Sequence, residues 1–216
     1  MNIGVRYLGK NADPELMGEA IKRFNAGRRA DTQDEIWLFE LAPVFVQGQD
    51  SKNNTLLTSS LIPIIESDRG GDITYHGPGQ LIVCILADLK RKQISPFELV
   101  EHIEQTTIDL LAELGIITSN KKDAPGIYVN DDKVASFGLR IERGLSSHGI
   151  ALNVDMDLEP FNLINPCGYE GMNMTQVTQF AAPQDIQSLG RRFAAQFASR
   201  LSYGGIEDLE GHIPSL

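Results

Sequence analysis

Apolar residues recur at helical spacing in three stretches of the chain. In the first, Asp13 offers an N-cap and Pro14 a first-turn proline, and Leu16, Met17, Ala20, Ile21 and Phe24 follow as a stripe. In the second, Ser95, Pro96 and Glu98 read as a capping box with proline at the first helical position. Phe97, Val100, Ile103, Thr107, Leu110, Leu111 and Leu114 then fall on one face, and Gly115 is the stop. The third begins after Pro183 and runs through Ile186, Leu189, Phe193, Phe197 and Leu201 to Gly204 and Gly205. Elsewhere the pattern is that of strands. Residues 35–46 (EIWLFELAPVFV) and 80–86 (QLIVCIL) are nearly continuous apolar runs, which predict strands buried on both faces. Residues 126–129 and 133–141 flank the turn signal Asn130, Asp131 and Asp132 and predict a hairpin, and residues 149–155 predict another strand. Strands cluster in the middle, with helices before, among and after them. This is the pattern of an α+β (mixed α/β) fold in which helices pack on a sheet, not of a regular βαβ array. No repeat or Pro/Ser-rich linker divides the sequence, so a single domain over residues 1–216 is expected.

Composition narrows the function classes. The chain is 42% hydrophobic, and 19 Lys and Arg against 29 Asp and Glu give a net charge of −10. That balance opposes generic nucleic-acid binding, which rests on many Lys/Arg–phosphate contacts. The longest apolar run, residues 81–87, is far shorter than the roughly 18 residues of a membrane span. The N-terminus lacks the basic-then-apolar pattern of a secretory signal, and the two cysteines imply no disulfide framework, so a cytoplasmic location is expected. Three basic stretches run against the overall charge: residues 1–30, the cluster Lys90, Arg91 and Lys92, and the pair Lys121 and Lys122. They read either as docking patches or as solvated surface charge.

The chemistry-bearing segments are few. Residues 69–80 (RGGDITYHGPGQ) place four glycines, Arg69 and His76 between two strand-like runs. Glycine allows close backbone approach to a ligand, arginine supplies a charged fork, and histidine titrates near neutrality. A glycine-rich hairpin with a satisfied histidine is the bland alternative. Neither a Walker loop nor a dinucleotide fingerprint is present. Cys84, inside an apolar run, reads as a small core residue. Cys167, in the loop-forming Asn-Pro-Cys-Gly at 165–168, reads as an accessible thiol that a nearby cation would activate. Lys133, opening a strand after the turn, is the candidate cation. His148 reads as structural or pocket-lining, and His102 as surface. No spacing of cysteines suggests a metal site.

Taken together, these segments resemble the lipoyl(octanoyl) transferases of lipoate biosynthesis. Residues 69–80 resemble the family signature RGGxxTYHxxGQ, and residues 43–49 (PVFVQGQ) an upstream element in which Val46 replaces the commoner threonine. Residues 133–138 (KVASFG), 147–153 (SHGIALN) and 165–168 (NPCG) resemble three further motifs in the family's order. The resemblance implies the catalytic domain shared with biotin and lipoate protein ligases. It implies Cys167 as a nucleophile that carries the acyl group as a thioester and Lys133 as the residue that activates it. Arg69, Gly70, Gly71, Asp72, Ile73, Thr74, Tyr75 and His76 would line the acyl pocket, joined by Ser136, Phe137, Gly138, Gly149, Ile150 and Ala151. The donor implied is an octanoyl-acyl carrier protein. The acceptors implied are lipoyl domains of 2-oxo acid dehydrogenases and the glycine cleavage H protein, with no cofactor, metal, nucleic acid or membrane involved. Two alternatives stay open: an ATP-dependent lipoate or biotin ligase on the same fold, and a non-catalytic acyl-binding protein.

Overall fold

Side-chain caps start the three expected helices and one short turn that the sequence pattern does not predict. Asp13 accepts from the Leu16 N–H at the head of α1 (Pro14–Gly27). Asp88 caps the single turn α2 (Leu89–Lys92), Ser95 and Glu98 close the capping box of α3 (Pro96–Ala112), and Asp185 caps α4 (Ile186–Arg200). The computed structural model describes residues 1–51, 56–121, 124–165 and 171–214. Its strands are β1 (Ile3–Tyr7), β2 (Glu35–Phe39), β3 (Val44–Gln47), β4 (Ile64–Glu66), β5 (Thr74–His76), β6 (Gln80–Leu86), β7 (Ser119–Asn120), β8 (Ile127–Val129), β9 (Asp132–Glu142), β10 (Leu145–Asn153) and β11 (Ile206–Asp208). Eight of them form a mixed sheet in the order β11-β1-β2-β6-β10-β9-β8-β7, and β4-β3-β5 form a small second sheet. The fold is the expected mixed α+β arrangement.

Three local expectations change. The apolar run 35–46 is two strands, one in each sheet. Between them Glu40 and Ala42 bond back to the carbonyls of Gly9 and Ala12, and Pro43 has no N–H to give a ladder. Strand β1, which carries no pattern strong enough to predict it, pairs in parallel with β2 and β11. On α3 the inward residues are Leu99, Ile103, Thr106, Thr107, Leu110 and Leu111, whereas Phe97 is exposed; on α1, Leu16 is likewise outside the buried stripe.

The register explains where space opens. On one face of the large sheet, Leu38, Val83, Ile150 and Phe137 stand in a cross-strand row that belongs with α3 and α4 in the main core. On the other face, Trp37, Cys84, Gly149 and Gly138 form one row, and Phe39, Ile82, Ala151 and Ser136 the next. Side chains are large at the β2 end of each row and small at the β9 end. Helix α1 packs Met17, Ile21 and Phe24 over the large end, with the Phe24 ring 5.3 Å from Trp37 and edge-on to it. The small end leaves a cavity.

Candidate functional site

The cavity measures about 500 Å³ and lies between α1, the small-residue end of the large sheet, and the second sheet with its following loop. Gly149 is one of its lining residues, and a Cβ there would overlap the Val83 carbonyl oxygen across the ladder. Most of the expected residues border it: Arg69, Gly71, Asp72, Thr74, His76, Ser136, Phe137, Gly138, Gly149, Ile150 and Ala151. Val46 lines it as well.

Ile73, Tyr75 and Gly70 do not line it. Successive strand residues point to opposite sides, so while Thr74 and His76 face the cavity, Ile73 and Tyr75 enter a separate cluster with Phe45 and Phe161. Gly70 instead donates its N–H to the Leu139 carbonyl at 3.2 Å. Arg69 also differs from the expected ligand fork. Its Nη2 donates to the carbonyls of Val46 (2.6 Å) and Asp72 (2.7 Å), and Nη1 to that of Gly70 (2.9 Å). The guanidinium therefore holds the glycine loop against β3.

Sequence reasoning missed the roof and the polar mouth. Met17, Gly18, Ile21 and Lys22 of α1 line the cavity, as does the stretch from Ile64 to Asp68. Asp68 accepts from His148 Nε2 at 2.9 Å and lies 3.3 Å from Arg140 Nη1 and 3.7 Å from Lys22 Nζ. The His148 hydrogen bond, with the nearby charges of His148, Lys22 and Arg140, holds the Asp68 carboxyl down at about 2. Regular alternation would place His148 on the face of Ile150; its φ of 62° breaks the pleat and the ring borders the cavity. The adjacency of Asp68 to the glycine-rich segment is the one sequence signal for it.

Cys84 is buried as expected but also forms part of the wall. Burial pushes its thiol up to about 12, against a smaller opposing effect of the His148 N–H, so it is inert as a nucleophile. His76 is held neutral: burial first, then the charge of Arg69, brings it down to about 4.

Lys133 is fully buried at the start of β9. Its Nζ donates to the Pro125 carbonyl at 3.0 Å and lies 5.4 Å from the centre of the Tyr128 ring. Gly126, at φ 153°, makes room: a Cβ there would stand 2.7 Å from Lys133 Cε and 2.9 Å from the Ala135 carbonyl oxygen. The Lys133 backbone bonds Asn173 and Thr175 on the chain leaving the 165–168 motif. Lys133 is not among the residues that line the cavity. Cys167 lies outside the described residues.

The basic stretches divide: Arg6, Arg28, Arg91 and Lys92 are engaged within the fold, whereas Lys10, Lys22, Arg23, Arg29 and Lys90 are exposed. Arg91 donates to Asp34 (2.6 Å), the Lys92 ammonium sits 3.9 Å over the Tyr203 ring, and Lys121 pairs with Asp131 (2.9 Å). Arg6 and Arg28 hold Glu35 and Asp34. Lys122 is outside the described residues. Among the described residues no group of His, Cys, Asp and Glu is placed to hold a metal ion, and no helix is long and apolar enough to cross a membrane.

Solved structures place this architecture. A putative lipoate protein ligase from T. acidophilum with bound lipoic acid superposes with a TM-score of 0.77, covering 97% of this chain and 89% of that one at 14% identity. The biotin protein ligase of Aquifex aeolicus gives 0.58, covering 94% and 70% at 12% identity. The fold is thus that of the lipoate and biotin protein ligase catalytic domains. The family model described as the lipoyl protein ligase A/B catalytic domain matches residues 19–198. The octanoyltransferase of Pseudomonas entomophila (strain L48) is 48% identical over 211 residues, 98% of each chain. The chain belongs to the lipoyl protein ligase A/B family, and within it to the octanoyltransferases.

Proposed function

We propose that this protein is an acyltransferase that moves an octanoyl group from an octanoyl-acyl carrier protein, through a thioester on Cys167, to a lysine of lipoyl domains. The observation that carries the reading is the coincidence of one largely apolar-walled cavity with four of the sequence motifs. The similarity to octanoyltransferases supports the acyl group, and the catalytic residues follow from the motif positions. In the first step the Cys167 thiolate, its proton held by Lys133, attacks the carrier thioester, and its C–S bond forms while the carrier's breaks. The carrier leaves as a thiol with the proton from Lys133, which is thereby left neutral. In the second the acceptor amine attacks, the C–N bond forms, and Cys167 leaves. The proton of the attacking amine passes to Lys133, which serves as base in its neutral form. One thioester replaces another and then yields an amide, so the sequence needs no nucleotide. Burying about six methylenes at ~0.8 kcal/mol each stabilises the octanoyl chain by roughly 5 kcal/mol.

The test mixes the protein with octanoyl-carrier protein and a lipoyl domain without nucleotide, followed by intact-mass measurement. A hydroxylamine-labile octanoyl adduct on Cys167, absent from Cys167→Ala, is expected. An adduct on Cys84, or transfer that begins only on adding ATP, would overturn the reading. Lys133→Ala is expected to slow both half-reactions.

A further inference from the structure

Two polar residues of the motifs stand together without a role so far. Gln80 ends the glycine-rich segment and Asn153 ends the 147–153 motif, and the register of β6 and β10 makes them a cross-strand pair, both buried. They belong to one directed chain of hydrogen bonds. The Thr175 carbonyl can only accept, so it fixes Asn153 with Nδ2 toward it, at 2.9 Å. Asn153 Oδ1 must then accept, and it does so from Gln80 Nε2 at 2.8 Å. That leaves Gln80 Oε1 facing His76 Nδ1 at 2.7 Å. A carbonyl oxygen cannot donate, so the proton of this contact lies on His76 Nδ1. The same Thr175 gives its backbone N–H to the Lys133 carbonyl at 2.9 Å, so the chain also runs to the backbone of the buried lysine.

The neutral ring with Nδ1 protonated carries its lone pair on Nε2, and among the described residues Nε2 has no hydrogen-bond partner. His76 borders the cavity. A fixed acceptor in such a wall has a chemical consequence. A hydrocarbon chain cannot satisfy it, and a thioester carbonyl, itself an acceptor, is repelled by it. Only a group bearing N–H, O–H or S–H completes it, and of the reactants in the proposed transfer the acceptor lysine is the one whose N–H sits on the atom that forms the new bond to the acyl carbon.

We propose that Gln80 and Asn153 are positioning residues that lock His76 in the Nδ1–H tautomer, so that Nε2 accepts a hydrogen bond from the amine of the acceptor lysine as it enters the cavity. This rests on the transfer reading above. Arg69 and His148 are the charged or titratable side chains whose fields reach the His76 ring.

Two readouts on the full chain test it. Long-range nitrogen–proton correlation spectra of the histidine rings should show His76 neutral at pH 7, protonated at Nδ1 and bare at Nε2. In Asn153→Ala the Gln80 amide is free to turn, and the Nε2–H form should appear, with kcat/KM for the lipoyl domain down tenfold or more. In Gln80→Glu the carboxylate beside Nδ1 should hold His76 doubly protonated near neutrality and move the acid limb of the rate profile to higher pH. A purely structural role would lower activity only in proportion to the unfolded fraction and leave ring shifts and profile unmoved. A wild-type His76 protonated at Nε2, or tautomer and kcat/KM within twofold of wild type in folded Asn153→Ala, overturns the inference. If Asn153→Ala does not fold, the wild-type spectrum and Gln80→Glu decide. Wild-type protein with the expected tautomer but no octanoyl transfer would sink the transfer reading instead, because the spectrum does not depend on turnover.

Discussion

Asp34 gives the sharpest stability experiment. It has no solvent exposure, and its carboxylate accepts from Arg28, from Arg91 Nη2 (2.6 Å), from the Asp88 N–H (2.9 Å) and from the Tyr203 hydroxyl (2.8 Å). One side chain thus ties the end of α1, the turn of α2 and the end of α4 to the head of β2. Asp34→Ala strands the Arg28 guanidinium, whose side chain is 3% exposed, without its counter-charge. Removing one partner of a buried pair costs about 3–5 kcal/mol. At roughly 2–4 °C per kcal/mol for a chain of this size, Tm should fall by about 6–20 °C. The control is Asp208→Ala, whose partner Arg191 and own side chain are both more than half exposed; it should cost under about 1 kcal/mol. Asp34→Asn keeps an acceptor but not the charge and should fall between the two. Trp37, the single tryptophan and fully buried on strand β2, reports unfolding by fluorescence in urea or on heating. An Asp34→Ala midpoint indistinguishable from that of Asp208→Ala would refute the argument that this buried carboxylate holds the three elements together.

Gly149→Ala should lower stability by at least 2 kcal/mol in urea titration, because the added Cβ meets backbone in the centre of the sheet rather than a yielding side chain. Asp68 supplies a pH dependence of definite sign. Its folded value, about 2, lies below the ordinary 3.8, so its contribution is present above pH 4 and fades as the pH falls toward 2. The Tm of Asp68→Asn should therefore decline less steeply than that of the wild type between pH 4 and 2, and parallel curves would contradict the assigned partners. Cys84 in the folded protein should resist iodoacetamide at pH 8 while becoming reactive in urea, as read by site-resolved mass spectrometry. Cys84→Ala should cost about 1 kcal/mol, with the same denaturant assay as the check.

Much of the local structure was legible because its causes are local. Asp13, Ser95 and Glu98 cap helices through bonds spanning three residues, and β6 falls where the run of residues 80–86 predicts it. The motif order along the chain pointed to the family without reference to space. What failed locally also failed for local reasons: the apolar run 35–46 hides a change of sheet, and an exposed Phe97 has the same composition as a buried one.

The cavity and its wiring are different in kind. Side-chain size decreases from Trp37 to Gly138 along a row drawn from four strands, and no window of the sequence contains that row. Arg28 and Arg91, from two of the basic stretches, meet at Asp34, a partner 6 and 57 positions away. Ile73 and Tyr75 sit inside a continuous motif, yet the strand pleat turns them away from the site their neighbours Thr74 and His76 serve. The sequence alone determined the family motifs and where the three long helices begin, since caps, turns and motifs act over a few bonds. Tertiary structure decided which of those residues share a cavity and which nitrogen of His76 bears its proton. Both depend on hydrogen bonds and cross-strand pairings between segments that only the folded sheet brings within three ångströms of each other.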